Sequence, residues 1–286
     1  MDYKYLPLLG LLSIKKEEIS NASIFDAISY AEERINSSPK GRVTELALLF
    51  YLISILNDIG LAYFVKGGVI LNYYLKDKVR PTHDLDIIID QDPDLFFEEI
   101  KKYLSKINNI KIIEYSKTPA DRIYYYDTFS IELEVSINGE KTKTSIDGIY
   151  NHDIYQSVDT ITYDGPEFIK DNLQFQGVHI EYVLAEKIMA ISNELLRPFK
   201  HLVDVYSLIH TDIDTKLLNN YLSLIKENDD KVRKNLNIDI NDFSYQIKEN
   251  KPFVGNFTFT ALQSGQIISL NEMIDAVNKW LEINIK

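Results

Sequence analysis

Cysteine is absent from this 286-residue chain. That gap removes disulfides, thiolate nucleophiles and cysteine-ligated zinc together, and it suits a reducing compartment. No apolar run approaches the roughly 18 residues a membrane-spanning helix needs, so no membrane association is expected. Positive charge is scarce too: 31 Lys and Arg stand against 43 Asp and Glu, a net −12. A protein that coats nucleic acid without selection is basic, because its affinity comes largely from neutralised phosphates. The acidity argues against that class and leaves room for a local basic patch. The opening stretch MDYKYLPLLGLLSIKKEE has no basic leader and no small-residue cleavage site, so no secretory signal is expected and a cytoplasmic location is. Walker A loops, nucleophile elbows and zincin motifs are missing, and His83, His152, His179 and His210 lack metal-ligand spacing.

What is present divides into a mixed half and a helical half. SNASIFDAISYAEERINSS and RVTELALLFYLISILNDIG read as helices, the second apolar enough to be buried on most sides and ended by Gly60. LAYFVKGG reads as a short strand entering a glycine turn, VILNYYLKD as a helix leaving it, and DLDIIID as a strand. Asp92 and Pro93 fit the cap and first turn of a helix over DPDLFFEEIKKYLSKI. NIKIIEY, RIYYYDTF and SIELEVSI are strand candidates rich in β-branched and aromatic residues, and EKTKTSIDGIY through VDTITYDG continues as sheet and loop. From Val178 onward the pattern is helical. The expectation is a mixed α/β (α+β) fold, a sheet flanked by helices over residues 1–177 and a helical lobe over 178–286.

The chemistry concentrates in KGGVILNYYLKDKVRPTHDLDIII. Residues two apart on a strand share a face, so Asp84 and Asp86 stand side by side. Paired carboxylates repel unless a cation lies between them, and Mg²⁺ commonly takes one or two carboxylates plus substrate phosphates. Gly67 and Gly68 let the backbone approach a ligand and lead into a helix whose first N–H groups favour phosphate. A glycine pair or an Asp-x-Asp pair alone is usually turn or strand-end chemistry. Their succession as strand, glycine turn, short helix and Asp-x-Asp strand is more specific, and metal-assisted phosphoryl transfer uses both halves.

These residues resemble the opening motif of the nucleotidyltransferase superfamily, the DNA polymerase β-like fold, and more narrowly the AbiEii-type toxins. Lys66, Gly67, Gly68, Arg80, Thr82, Asp84 and Asp86 match that motif. YVLAEKIMAI is similar to the family's Glu-Lys helix, giving Lys187. RPFKHLVDVYSL is similar to its basic stretch ending in Asp, giving Arg197, Lys200 and Asp204. The chain departs from the pattern at Val69, where Ser or Thr is usual, and at His201, where many relatives carry Asp.

The resemblance implies a nucleotidyltransferase-like mixed sheet, with Mg²⁺ or Mn²⁺ held by Asp84 and Asp86. Lys66, Gly67, Gly68, Arg80 and Thr82 would bind the NTP, and Lys187 and Asp204 would complete the catalytic set. A third metal carboxylate is expected from SIELEVSI, where Glu132 and Glu134 share a face and Glu134 is favoured; two solvated glutamates are the equal alternative. The implied role is a toxin or phage-defence component with RNA, such as a tRNA 3′ end, as acceptor and a cognate antitoxin as partner. The same chemistry on a small cationic acceptor, as in antibiotic nucleotidyltransferases, is a second reading. A non-catalytic nucleotide-binding relative is a third.

Overall fold

The computed structural model describes residues 40–75, 82–120, 126–137, 140–165, 173–192, 199–227 and 270–285. The helix expected over SNASIFDAISYAEERINSS, and both Arg80 and Arg197, lie outside them. Helix α1 (Lys40–Ile59) carries the apolar run read from the sequence, and every side chain from Leu48 to Leu56 is buried. Gly60 ends it at φ +78°, with the amides of Gly60 and Leu61 both donating to the Leu56 carbonyl at 3.2 Å. Only glycine takes that left-handed turn without steric cost.

The chain continues as β1 (Tyr63–Val65), α2 (Gly67–Leu75), β2 (Asp84–Ile89), α3 (Pro93–Leu104), β3 (Ile110–Thr118) and β4 (Asp127–Ile137). Then come β5 (Glu140–Tyr150), α4 (His152–Ser157), β6 (Thr160–Asp164) and β7 (Gln174–Val178). Asp92 caps α3 as expected, accepting from the amides of Asp94 at 2.8 Å and Leu95 at 3.3 Å, with Pro93 in the first turn. Two elements escaped the sequence reading, α4 and β7. Of RIYYYDTF, the last three residues open β4, and residues 121–125 lie outside those described.

The seven strands form one mixed sheet in the order β3-β4-β5-β2-β1-β7-β6. Strand β2 is central, antiparallel to β1 and parallel to β5. Its apolar face, with Leu85, Ile87 and Ile89, continues into Phe129, Ile131, Leu133 and Val135 of β4 and is buried. Helices α1 and α3 cover that face: the Tyr63 hydroxyl donates to the Ile53 carbonyl at 3.1 Å, and Phe96 packs on Phe129 with ring centroids 5.5 Å apart. Gly148 of β5 leaves room for the Phe129 ring, which lies where a Cβ would otherwise stand. On the opposite face Phe64 stacks on Tyr155 of α4 at 4.2 Å beside the buried Ile88 and Ile149, and Asp84, Asp86, Ser145 and Asp147 occupy the rows beyond them.

Contacts divide the chain into two compact units at Val178/His179, with Ile70–Leu75 of α2 grouped with the later residues. The second unit contains α5 (Ile180–Ser192), α6 (Phe199–Leu208), α7 (Thr215–Glu227) and α8 (Leu270–Asn284). There α5 packs against α6 and α7, and α8 against α6. Tyr182 and Tyr221 meet edge to face at 5.5 Å, and Glu181 accepts from the Asp214 amide at 3.0 Å. Among the described residues no helix is long and apolar enough to cross a membrane.

Candidate active site

The glycine turn is built against β2. The Lys66 amide donates to the Asp86 carbonyl at 2.9 Å, extending the β1–β2 ladder one residue past β1. Gly67 then takes φ +63°, the left-handed region that side chains disfavour. A Cβ on Gly67 would stand 2.8 Å from the Asp86 Cβ, and one on Gly68 only 2.7 Å from the Thr82 Cβ. The chain therefore passes over both side chains at backbone contact distance. The Gly68 amide, at the start of α2, points to Asp86 Oδ2 at 3.4 Å. Val69 is 1% exposed and belongs to the core, which accounts for an apolar residue where the family usually places a hydroxyl. Thr82 is likewise buried, against Gly68.

Asp84 and Asp86 are half-buried on one face of β2, as the period-two reading requires. The carboxylate beside them is Asp147, a residue the sequence reading missed. Strand β5 pairs with β2 in parallel, placing Asp147 directly across from Asp86 and Ser145 across from Asp84. The Ser145 hydroxyl lies 3.1 Å from Asp84 Oδ1 and 3.0 Å from Asp147 Oδ2, so it bridges two carboxylates. Ser130 of β4 donates to Asp147 Oδ1 at 2.5 Å. Burial raises the proton affinity of Asp147 above the usual carboxylate range; the charges of Asp86 and Asp84 add to this, while the bonds from Ser130 and Ser145 oppose it.

Glu134, expected to complete the metal set, is not part of this cluster. Strand β5 lies between β4 and β2, so a β4 carboxylate is two strands, roughly 10 Å, from the Asp pair. Glu134 instead accepts from Lys141 Nζ at 2.7 Å. Glu132 stands in the row of Asp84 with Ser145 between them, and it is exposed.

The donor set suits a hard divalent cation. Three carboxylates on adjacent strands repel one another, and two unit charges about 4 Å apart near a protein surface interact by about 4 kcal/mol. A cation or a proton must offset that. Among the described residues no three such groups already converge on one point, since Asp147 directs both oxygens at serines. Asp84 and Asp86, leaving further positions to water and phosphate oxygens, match the way Mg²⁺ is usually held.

In the second unit, Lys187 Nζ bonds Asp204 Oδ2 at 2.8 Å, with side chains 7% and 2% exposed. His201 Nδ1 lies 3.4 Å from the same nitrogen, whereas Lys200 is exposed. The two residues paired by the sequence reading are thus a buried ion pair joining α5 to α6.

A glycine turn from a central strand into a short helix, then a strand carrying Asp-x-Asp with a third aspartate on its neighbour, is the arrangement of a nucleotidyltransferase. The model of one family, described as the nucleotidyl transferase AbiEii toxin of type IV toxin–antitoxin systems, matches residues 55–258, and the chain belongs to that family. Among solved structures, JHP933 from Helicobacter pylori aligns at a TM-score of 0.45 and 16% identity, over 86% of this chain and 96% of its own. An antigenic nucleotidyltransferase-like protein from Paracoccidioides brasiliensis aligns at 0.44 and 13%, over 75% and 92%. The Megavirus polyadenylate synthase aligns at 0.39 and 18%, over 65% and 35%. No curated protein matches the sequence.

Proposed function

We propose that this nucleotidyltransferase moves a nucleoside monophosphate from an NTP to a hydroxyl of RNA, such as a tRNA 3′ end, with a divalent cation, Mg²⁺ or Mn²⁺. The observation that carries the reading is the row of Asp84, Asp86 and Asp147 beside the Gly67–Gly68 turn. Asp84 and Asp86 would hold the cation, which when bound neutralises charge on phosphate oxygens. The acceptor oxygen bonds the α-phosphorus as the bond to pyrophosphate breaks. The raised proton affinity of Asp147 supports its taking the hydroxyl proton. Lys66 and the amides of the glycine turn would bind the triphosphate. Lys187 and Asp204 enter the reading by family resemblance alone, as a buried ion pair between α5 and α6. A cytoplasmic toxin with a cognate antitoxin, acting in phage defence, is the biological setting that follows.

The net charge of −12 favours one rival, a small cationic acceptor. Incubation with labelled NTPs, Mg²⁺, total RNA and a panel of aminoglycosides separates the two. The expected result is label in RNA, lost on chelation with EDTA and lost by at least about 10²-fold in Asp84→Asn and Asp86→Asn. Label only in the small cations would replace RNA as acceptor. Unchanged rates in both aspartate variants would remove the site.

A further inference from the structure

One row beyond Asp86, the face of the sheet that bears the carboxylates becomes apolar and aromatic. Phe64 of β1 pairs with Ile88 of β2, and Ile88 with Ile149 of β5, so all three lie one step from Asp86 and Asp147. Ile88 and Ile149 are buried, whereas Phe64 and the Tyr155 ring laid against it are only half-buried. The two rings are nearly parallel, with planes 8° apart and centroids separated by 4.2 Å. Phe64 is the only ring partner of Tyr155 among the described residues. Helix α4, which carries Tyr155, is anchored before any ligand arrives. Asn151 accepts from the Ile154 amide at 2.8 Å, and Ile154 is fully buried. Asp90, the residue after β2, meets His152 Nδ1 at 2.6 Å and accepts from Gln156 Nε2 at 3.2 Å. Tyr155 lies between these two anchors in the sequence, so its ring is held on Phe64 as a preset flat surface.

The order of the rows matches the order of groups in a nucleotide. A triphosphate calls for the cation and the amides of the glycine turn, which belong to the rows of Asp84 and Asp86. A nucleobase is flat and takes an aromatic face as its natural partner. Two residues along a strand cover about 6.8 Å, so the rings stand about one sugar away from the row where the α-phosphate would lie. We propose that the Phe64–Tyr155 stack is the nucleobase platform of this enzyme, with the base extending the stack and the ribose spanning the step back to Asp86. This rests on the NTP-binding reading and adds the surface that receives the base. Every base has a π-face, so such a platform raises affinity for all four NTPs and leaves the choice among them to other contacts.

The test compares the four NTPs with tripolyphosphate, which has the anionic end of a nucleotide and neither sugar nor base. Binding of each with Mg²⁺ is measured for wild type, Tyr155→Leu and Tyr155→Phe. Tyr155→Leu should bind every NTP about tenfold more weakly, the scale of one base–aromatic stack, with tripolyphosphate affinity at the wild-type value. Tyr155→Phe keeps the ring and should match wild type for all five ligands. Nuclear Overhauser contacts from the base protons of bound NTP to the Tyr155 ring are expected in wild type, a readout independent of how well Tyr155→Leu folds. Absence of those contacts, or a wild type that holds tripolyphosphate as tightly as NTP, would overturn the platform and leave the triphosphate cradle standing. Equal losses of NTP and tripolyphosphate affinity in Tyr155→Leu would also overturn it, making the ring a packing element. A wild type that binds neither ligand would overturn the NTP reading together with the platform.

Discussion

Gly67, Gly68 and Val69 are adjacent, yet each constrains the site differently. Gly67 is fixed by a left-handed backbone and by Asp86, Gly68 by Thr82, and Val69 by the core. Gly67→Ala must therefore meet a conformational cost of about 1–2 kcal/mol and in addition push Asp86 out of its row. Val69→Ser would restore the family's usual hydroxyl in a position with no access to solvent. An unpartnered buried hydroxyl costs about 1–3 kcal/mol, so this change should lower the melting temperature and leave NTP affinity per folded molecule unimproved. Thermal denaturation beside nucleotide titration reads both variants; a Val69→Ser protein that binds NTP more tightly at unchanged stability would refute the core assignment. Asp147→Asn separates the roles of the carboxylates. It should keep measurable Mn²⁺ binding through Asp84 and Asp86 while turnover falls by at least about 10²-fold; loss of both together would make Asp147 a cation ligand instead. Asp84 and Asp86 were legible because a period of two exposes a shared face in any strand. Asp147 was not, since SIDGIY carries one aspartate between Ile146 and Gly148 and reads like an ordinary strand.

Strand order is the information that local pattern lacks. Glu134 was a reasonable third carboxylate as long as β4 was taken as the neighbour of β2, and β5 in that place changes the answer. The pairing that brings Asp147 to Asp86 joins residues 61 positions apart in the sequence, beyond the reach of periodicity or turn chemistry. Helices were more legible because their apolar spacing, caps and stops are local, as Asp92 and Gly60 illustrate. The α5–α6 pair shows how burial alters a functional expectation. A lysine free to meet phosphate could be truncated with little effect on stability, but Lys187 neutralises an Asp204 that is 2% exposed. Removing one partner of a buried pair strands the other, at about 3–5 kcal/mol. Lys187→Ala should therefore unfold at markedly lower urea, whereas Lys187→Met/Asp204→Leu should recover most of that loss. An alanine variant with wild-type stability and reduced turnover would restore the simpler electrostatic role.

At the scale of the whole molecule, ligand and fold are linked by mass action. An NTP with Mg²⁺ that binds only the native chain should stabilise it by about 2.7 kcal/mol at a hundred times Kd. A rising melting temperature on titration is expected for wild type, and none for Asp84→Asn/Asp86→Asn; equal shifts in both would place the nucleotide elsewhere. The central position of β2 also has a consequence in time. During synthesis β1 and β2 emerge together and can pair at once, but the far side of β2 waits for β5, some sixty residues later. At about 5–20 residues per second, that interval is several seconds in which Asp84 and Asp86 stand on an open edge without Asp147, Ser130 or Ser145. Long-range parallel pairing is slow to form even in a finished chain. For a member of a toxin family, the nascent chain is thus unarmed until β5 has docked: the complete row of aspartates and serines is assembled only then.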